Sequence, residues 1–336
     1  MVAVVIVGYN SKEFLGECLQ SVLDSSYNQL QVIFVDNNSS DGSAQYIKEN
    51  FSDVLVLKSE KNVGFAGGNN LGIKKALELN SEYLFFLNPD TVIDKNCIKL
   101  LVEGTNHKSI SQPLILLHQD GNKTNLINTW GNDLNYLGIS YCSGYMTEQK
   151  KAKKSNIPLA SGAAFLAPKE FFETNDGFDE DFFMYHEDVD LSWRAREAGY
   201  DIKLSPDAKV WHKYNFSRNK KKFFFIERNR LLFLAKNFQI KTILLILPAL
   251  IIQELVTLIF SIFGGWLHYK IASFFSFLYL LPKIISKRKT INHKRSDREI
   301  KKYLSTKINS PFIQAPGISI YNFWLKLYWD LIFRII

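Results

Sequence analysis

The chain has 336 residues, 46% of them hydrophobic, enough to bury one or two cores. Its formal net charge of +8 admits nucleic acid, phospholipid or a phosphorylated substrate and selects none of them. Cys18, Cys97 and Cys142 form no CxxC pair, and their odd number argues against a disulfide framework, so a reducing compartment is expected.

The N-terminus reads MVAVVIVGYNS. No basic leader precedes its apolar run, so residues 2–7 are expected to form a buried strand and not a secretory signal. Ser11 is placed to cap a helix from Lys12 to about Leu23. A second run, Gln31 to Val35, ends at Asp36 in VDNNSSDGS, where Ser40 or Asp41 can start the next helix. A third, Val54 to Leu57, leads into KSEKNVGFAGGNNLG and a helix from about Ala66 to Leu79. The fourth, Tyr83 to Leu87, stops at Asn88-Pro89-Asp90.

Short strands alternating with longer helices are the pattern of βαβ units around a parallel sheet. Unbroken runs such as VAVVIV suit strands covered on both faces. Ligands of such sheets bind beyond the carboxyl ends of the strands. Those ends carry Tyr9-Asn10, Asp36-Asn37-Asn38 and Asn88-Pro89-Asp90. Each alone reads as an ordinary turn; three together point to a ligand.

The first strand is not followed by GxGxxG, and no Walker A loop occurs. Gly64, Gly67 and Gly68 can let a backbone approach a sugar or phosphate, and helix packing explains Gly67 or Gly68 equally well. Asp36 is placed to accept hydrogen bonds from a base or a ribose. Asp90, at a turn stiffened by Pro89, is a hard oxygen ligand for Mg²⁺ or Mn²⁺, which would bridge diphosphate oxygens.

SGAAF, from Ser161, reads as a strand with room beside it. GFDEDFFMYHEDVD is the densest acidic patch, and Asp188 or Asp190 can open a helix running to about Ala198 and ended by Gly199. One of its carboxylates can serve as general base, raised in pKa by apolar neighbours; others can bind acceptor hydroxyls or cap. His186 fits a base or an ion-pair partner. His212, in KVWHKY, fits a metal ligand or a core histidine. Arg218 through Lys222, with Arg228 and Arg230, form a basic run suited to a diphosphate, lipid headgroups or water.

VVIVGYNS, VDNNSSDGS, NVGFAGGNNLG, FLNPDT, SGAAFL and GFDEDFFMYHEDVDLSWRAREAGY, in this order, resemble the family 2 glycosyltransferases of GT-A fold, especially the bacterial rhamnosyltransferase-like branch. The resemblance spans residues 4–200 and reaches residue 212 with KVWH. It implies an α/β GT-A nucleotide-diphospho-sugar transferase fold with a mostly parallel central sheet. It places Tyr9, Asn10, Asp36, Gly67, Asn88 and Arg228 at the nucleotide sugar, with Asp36 on the base. Asp90 and His212 would hold Mg²⁺ or Mn²⁺. Asn88 stands where the family has the first Asp of Asp-x-Asp, so an amide would make that contact. Asp188 would be the catalytic base, with Glu187, Trp193 and Arg194 beside the acceptor. The implied reaction is single displacement with inversion. The donor is a dTDP-, UDP- or GDP-sugar, with dTDP-rhamnose favoured. The acceptor is a glycan or polyprenyl-diphosphate-linked saccharide of bacterial surface polysaccharide synthesis. A sugar-1-phosphate nucleotidyltransferase would want a basic glycine-rich loop after the first strand, which GYNSKEF lacks. A catalytically silent GT-A scaffold is the other alternative.

Residues 1–235 are expected to form the catalytic domain and 236–336 a helical membrane-associating or oligomerisation region. ILLILPALIIQELVTLIFSIF, from Ile243, is long enough to span a bilayer, but Pro248, Gln253 and Glu254 interrupt it. IASFFSFLYLL, from Ile271, is short for a second span. A lone span would carry the Lys283–Lys302 segment across the membrane, against the positive-inside tendency. Near the C-terminus Asn322, Lys326, Asp330 and Arg334 form a polar stripe on an otherwise apolar helix. C-terminal amphipathic and hydrophobic helices lying on the cytoplasmic face of the inner membrane are therefore expected, with a homo-oligomeric bundle as the competitor. Basic residues beside apolar blocks favour lipid over nucleic acid.

Overall fold

The computed structural model describes residues 1–153, 155–213, 220–288, 295–310 and 317–336. Arg218 and the middle of the lysine-rich segment lie outside the described residues. The chain forms two compact units. One comprises Met1–Asn132, Cys142–Ala195 and Tyr200–Asn215; the other comprises Asp133–Tyr141, Arg196–Gly199 and Phe216–Ile336.

The chain opens with β1 (Val2–Gly8), α1 (Lys12–Leu23), β2 (Leu30–Asp36), α2 (Ser43–Asn50), β3 (Leu55–Lys58) and α3 (Gly64–Glu78). Next come β4 (Tyr83–Leu87), β5 (Thr91–Ile93), α4 (Cys97–Gly104), β6 (Ser109–Gln119), β7 (Asn122–Thr129), β8 (Asn132–Asn135) and β9 (Ser140–Cys142). Then follow β10 (Ser155–Asn156), β11 (Ala164–Pro168), α5 (Lys169–Thr174), α6 (Glu187–Glu197) and β12 (Asp201–His212). The remainder is α7 (Lys222–Asn237), α8 (Ile240–Phe263), α9 (Leu267–Arg288), α10 (Asp297–Ile300), β13 (Leu304–Ser305) and α11 (Ile318–Ile332).

The main sheet has the order β10-β12-β6-β11-β4-β1-β2-β3, with β5 on β12 and β7 on β6. β1 runs parallel to β2 and β4, β2 to β3, and β6 to β12, while β11 is antiparallel to both β4 and β6. Val2, Val4 and Ile6 of β1 pack in one core with Leu15, Cys18, Leu19 and Val22, one face of α1. Helix α3 covers β1 through Gly68 and Gly72, one turn apart. A Cβ on Gly68 would come 2.5 Å from Val7 Cγ1, and one on Gly72 2.3 Å from Val5 Cγ1. Helix packing therefore accounts for Gly68, while a Cβ on Gly67 would meet Val63 of the preceding loop at 2.8 Å.

Of two expected helix starts, that of α1 lies where the sequence puts it and that of α2 differs. Ser11 stands at the N-cap of α1 but makes no side-chain cap bond; its Oγ would lie 2.4 Å from a Cβ at Gly8, in the tight approach of β1 to α1. Helix α2 begins at Ser43, behind left-handed Gly42, and the Asp41 carboxylate receives both Ser43 N–H and Ser43 O–H.

In the second unit α8 runs through Pro248 as one helix, and the apolar run from Ile271 is the middle of the 22-residue α9. Among the described residues α8 is the one helix long and apolar enough to cross a membrane, with a mean hydropathy of 2.5. Thr242, Ile246, Ala249, Gln253 and Ser261 form its buried face, while Leu244, Ile251, Leu255 and Ile259 are exposed. Glu254 is accommodated by cations. It pairs with Arg230 and, at 2.7 Å, with Lys270, and both also pair with buried Glu227. Burial alone would raise the Glu227 carboxyl, but Arg230 and Lys270 pull it down to about 2. On α11, Leu325, Trp329 and Ile332 are buried, and Ile320, Phe323, Leu327 and Leu331 are exposed.

Candidate active site

The strand ends of the first unit are laced together by side chains. Asn10 takes a left-handed conformation (φ 51°), and its N–H donates to Ser39 Oγ at 3.0 Å while its Oδ1 accepts the Ser40 N–H at 2.8 Å. Asp36, buried at the end of β2, accepts the Ser39 N–H at 3.1 Å. Asn37 donates to Gly64 O and accepts from Val63 N–H, both at 2.9 Å, which ties β2 to the start of α3. Tyr9 is 55% exposed beside them.

The Asn88-Pro89-Asp90 turn is pinned from three sides. Asn88 N–H donates to Ala163 O at 2.9 Å, Thr91 O–H donates to Asn88 O at 2.6 Å, and Lys213 N–H donates to Asp90 O at 2.9 Å. The antiparallel pairing of β5 with β12 sets His212 opposite Thr91. That register brings His212 Nε2 to 3.3 Å from Asp90 Oδ1. On the other side of the ring, Nδ1 lies 3.0 Å from Asn128 Oδ1. Burial works to raise the Asp90 carboxyl, but the charge and hydrogen bond of His212 hold it below the usual carboxylate range.

Asp90 and His212, assigned from sequence to a metal, are thus neighbours. Among the described residues no cluster of three His, Cys, Asp or Glu side chains joins them. Asn88, two residues before Asp90, has a buried amide oxygen with no hydrogen-bond partner among the described residues. A carboxylate, an imidazole nitrogen and an orphaned amide oxygen are donors that would suit a hard divalent cation of the Mg²⁺ or Mn²⁺ kind.

The acidic motif opens α6. Asp188 Oδ2 accepts the Gly162 N–H at 2.8 Å and the Asn132 amide at 3.4 Å, and Oδ1 accepts the Val189 N–H at 2.8 Å. Because Ala163 receives Asn88 and Gly162 holds Asp188, consecutive residues entering β11 link both acidic motifs to the same end of one interior strand. A Cβ on Gly162 would sit 3.3 Å from Asp188 Cβ, so the approach needs a small residue. Asp190, the other sequence candidate for the base, is fully buried in an ion pair with Arg194 at 2.8 Å. Arg194 further donates to Asp176 O and Gly177 O, and Trp193 is 1% exposed. Arg228 belongs to the second unit, where it is buried with its guanidinium over Phe224 and Phe225.

Glu187 and Asp188 are both shifted upward, chiefly by burial. Glu187 is raised further, because the Asp188 charge adds to the burial, and its buried Oε2 has no hydrogen-bond partner among the described residues. The N–H groups of Gly162 and Val189 hold Asp188 down, so Asp188 ionises first. Phe183, Tyr185 and His186, just before α6, all have φ between 63° and 66°. Phe183 O accepts the Ala66 N–H at 3.1 Å and would lie 2.3 Å from a Cβ at Gly64. That carbonyl explains Gly64, and it joins NVGF to FFMYHED. Sequence reasoning missed Asn128, Asn132 and Gly162; the two asparagines carry no local signal, and Gly162 showed only as a small residue in SGAAF.

This site on this sheet defines an α/β nucleotide-sugar transferase fold of the GT-A type. Likeness to solved structures supports it. GalNAc-T7 with UDP, GalNAc and Mn²⁺ superimposes with a TM-score of 0.59 at 18% identity, over 72% of this chain and 48% of that one. The Pyrobaculum calidifontis mannosyltransferase in complex with GDP-Man and Mn²⁺ gives 0.52 at 15% identity, over 98% and 84%. Residues 3–175 match the family described as Glycosyl transferase family 2, and the chain belongs to that family. Among curated relatives, a low-salt glycan biosynthesis hexosyltransferase of Haloferax volcanii is 29% identical over 60% of this chain and 63% of its own length. The poly-β-1,6-N-acetyl-D-glucosamine synthase of Staphylococcus aureus is 26% identical over 60% and 47%. The chain thus spans about half to two thirds of the length of these relatives.

Proposed function

We propose that this chain is an inverting glycosyltransferase using a nucleoside-diphosphate sugar to extend a glycan or lipid-linked acceptor in bacterial surface polysaccharide synthesis. The observation that carries it is the link from Asp188 through Gly162 and Ala163 to the Asn88–Asp90 turn, which sets a candidate base beside a candidate diphosphate site. Asp188 takes the proton of the acceptor hydroxyl. The acceptor oxygen bonds to C1 of the sugar as the bond from C1 to the phosphate oxygen breaks, and the electron pair leaves with the nucleoside diphosphate. A divalent cation, held by Asp90, His212 and the Asn88 amide oxygen, would supply positive charge to the leaving diphosphate. Asp36 receives the base or ribose, with Tyr9, Asn10 and Gly67 around the nucleotide. Glu187, kept protonated, can donate to an acceptor oxygen.

The rhamnosyltransferase-like motifs favour dTDP-rhamnose as donor. The UDP and GalNAc bound to GalNAc-T7 and the GDP-Man bound to the Pyrobaculum mannosyltransferase make UDP- and GDP-sugars the comparison donors. Residues 236–336 act as a membrane-associating region, peripheral on the cytoplasmic face. The exposed apolar faces of α8 and α11 support this, and the inward ion pairs of Glu254 favour an in-plane α8 over a spanning one. The test is calorimetric titration with dTDP, UDP and GDP, each with and without Mn²⁺, followed by transfer from the matching sugar nucleotide. Metal-dependent binding of one nucleotide is the expected result. Binding of none by folded protein overturns the reading.

A further inference from the structure

We propose that Asn128 is a positioning residue for His212: its side-chain oxygen takes the Nδ1 proton and so presents the Nε2 lone pair to the cation beside Asp90. The inference rests on the metal-dependent reading above. Three observations carry it. The Nδ1 to Oδ1 distance of 3.0 Å is a hydrogen bond, and it joins strands on opposite edges of β6, since β7 and β12 both pair with that strand. Asn128 is moreover the extra residue of a β-bulge. Thr129 pairs with Ile115 and Ile127 with Leu116, which leaves Asn128 without a ladder partner on β6. Bulges beside functional sites re-aim a side chain, and this one aims an amide at the imidazole.

The third observation is a cost. Asn128 is 2% exposed, and its Nδ2 has no hydrogen-bond partner among the described residues. An unsatisfied buried amide N–H is unfavourable, so packing alone gives no reason for asparagine here. An acceptor facing Nδ1 gives one. In a neutral imidazole only one nitrogen carries hydrogen, and a partner that accepts from Nδ1 leaves Nε2 as the ligand. The opposite amide orientation would donate to Nδ1 and turn an Nε2–H toward Asp90, which blocks a metal. The two arrangements differ in a measurable proton position.

The experiment uses the full chain with ¹⁵N-labelled histidine, with His212 assigned among the six histidines by loss of its signals in His212→Gln. With Mg²⁺ and whichever of dTDP, UDP and GDP binds, Nδ1 is expected at the shift of a protonated nitrogen and Nε2 at that of an unprotonated one. An unprotonated Nδ1 overturns the inference. Mn²⁺ affinity in the presence of the same nucleotide is then compared across variants. Asn128→Leu is expected to weaken it about 10- to 100-fold, as for other outer-shell partners of metal-bound histidine. Asn128→Asp, which keeps an acceptor, is expected to retain it. Wild-type affinity in a folded Asn128→Leu protein, or equal losses in both variants, also overturns it. Should the wild type bind no Mn²⁺ with any nucleotide, the metal reading fails, and the Nδ1 shift without metal still decides whether Asn128 accepts the Nδ1 proton: an unprotonated Nδ1 there overturns the contact itself.

Discussion

Glu187→Gln is expected to stabilise the first unit at neutral pH, and the structure sets how the gain depends on pH. Glu187 is 6% exposed, its Oε2 has no hydrogen-bond partner among the described residues, and Asp188 is the adjacent charge. Burial and then Asp188 raise its pKa in the fold. An acid with a raised folded pKa contributes stability that is fully present below its unfolded pKa, about 4.3, and is lost as pH rises through the folded value. In that window the unfolded chain releases the proton and the folded one keeps it. Each pH unit of the window removes about 1.4 kcal/mol. For a unit of roughly 200 residues, 1 kcal/mol moves Tm by about 2–4 °C. Glutamine has the same shape and no proton to lose. The Tm of the variant minus that of the wild type should therefore start near zero at pH 4, widen by about 3–5 °C per pH unit, and level off above the folded midpoint. Differential scanning calorimetry between pH 4 and pH 8 reads this directly. A difference that stays constant, or a variant less stable at pH 8 than at pH 4 relative to wild type, would show that Glu187 is ionised and paired in the fold.

Asp188→Asn is expected to lower transfer about 10²- to 10⁴-fold with donor affinity unchanged, measured by initial rates and calorimetry. In the wild type the rate should rise with pH through the raised Asp188 midpoint, because the base must be ionised; a rate that falls over that range would place the proton elsewhere. Gly72→Ala is expected to destabilise by about 1–3 kcal/mol in urea titrations, since its Cβ would sit 2.3 Å from Val5 Cγ1 in the centre of the sheet; overpacking there outweighs the helix-propensity gain of about 1 kcal/mol. Lys270→Met leaves Glu227 and Glu254 sharing Arg230, and about 3–5 kcal/mol should be lost. Adding Glu227→Gln to that variant should recover part of the loss, and no recovery in the melts would argue against a shared ion-pair network.

Legibility in the sequence followed the range of the interactions. The apolar runs of β1, β2 and β4 and the polar residues at their ends are local patterns, and they appear in the fold within a residue or two of where the pattern puts them. Gly199, read as the stop of α6, has φ 89° after its last turn. Ser11 takes the N-cap position as the pattern predicts but makes no side-chain cap bond, and its hydroxyl lies in the close approach to Gly8, which propensity does not register. Glu254 read only as an interruption of a membrane span because its partners, Arg230 and Lys270, are 24 and 16 residues away. Asn128 was invisible for the same reason: its partner is His212, 84 residues on, and the bulge that aims it depends on the register of β7 against β6.

The same dependence on register explains how residues of three loosely spaced motifs come to be joined by hydrogen bonds. The β5–β12 pairing sets His212 against Asp90, and the β4–β11 pairing carries Asn88 to Ala163 and Gly162 to Asp188. A one-residue slip of β11 would point the Gly162 N–H away from Asp188 and turn the small residues of SGAAF to the opposite faces. Asp188 would then lose the N–H that lets it ionise ahead of Glu187. The difference between two adjacent buried carboxylates, Glu187 raised further than Asp188, therefore depends on strand pairing through Gly162 as well as on the Val189 N–H of the acidic motif itself.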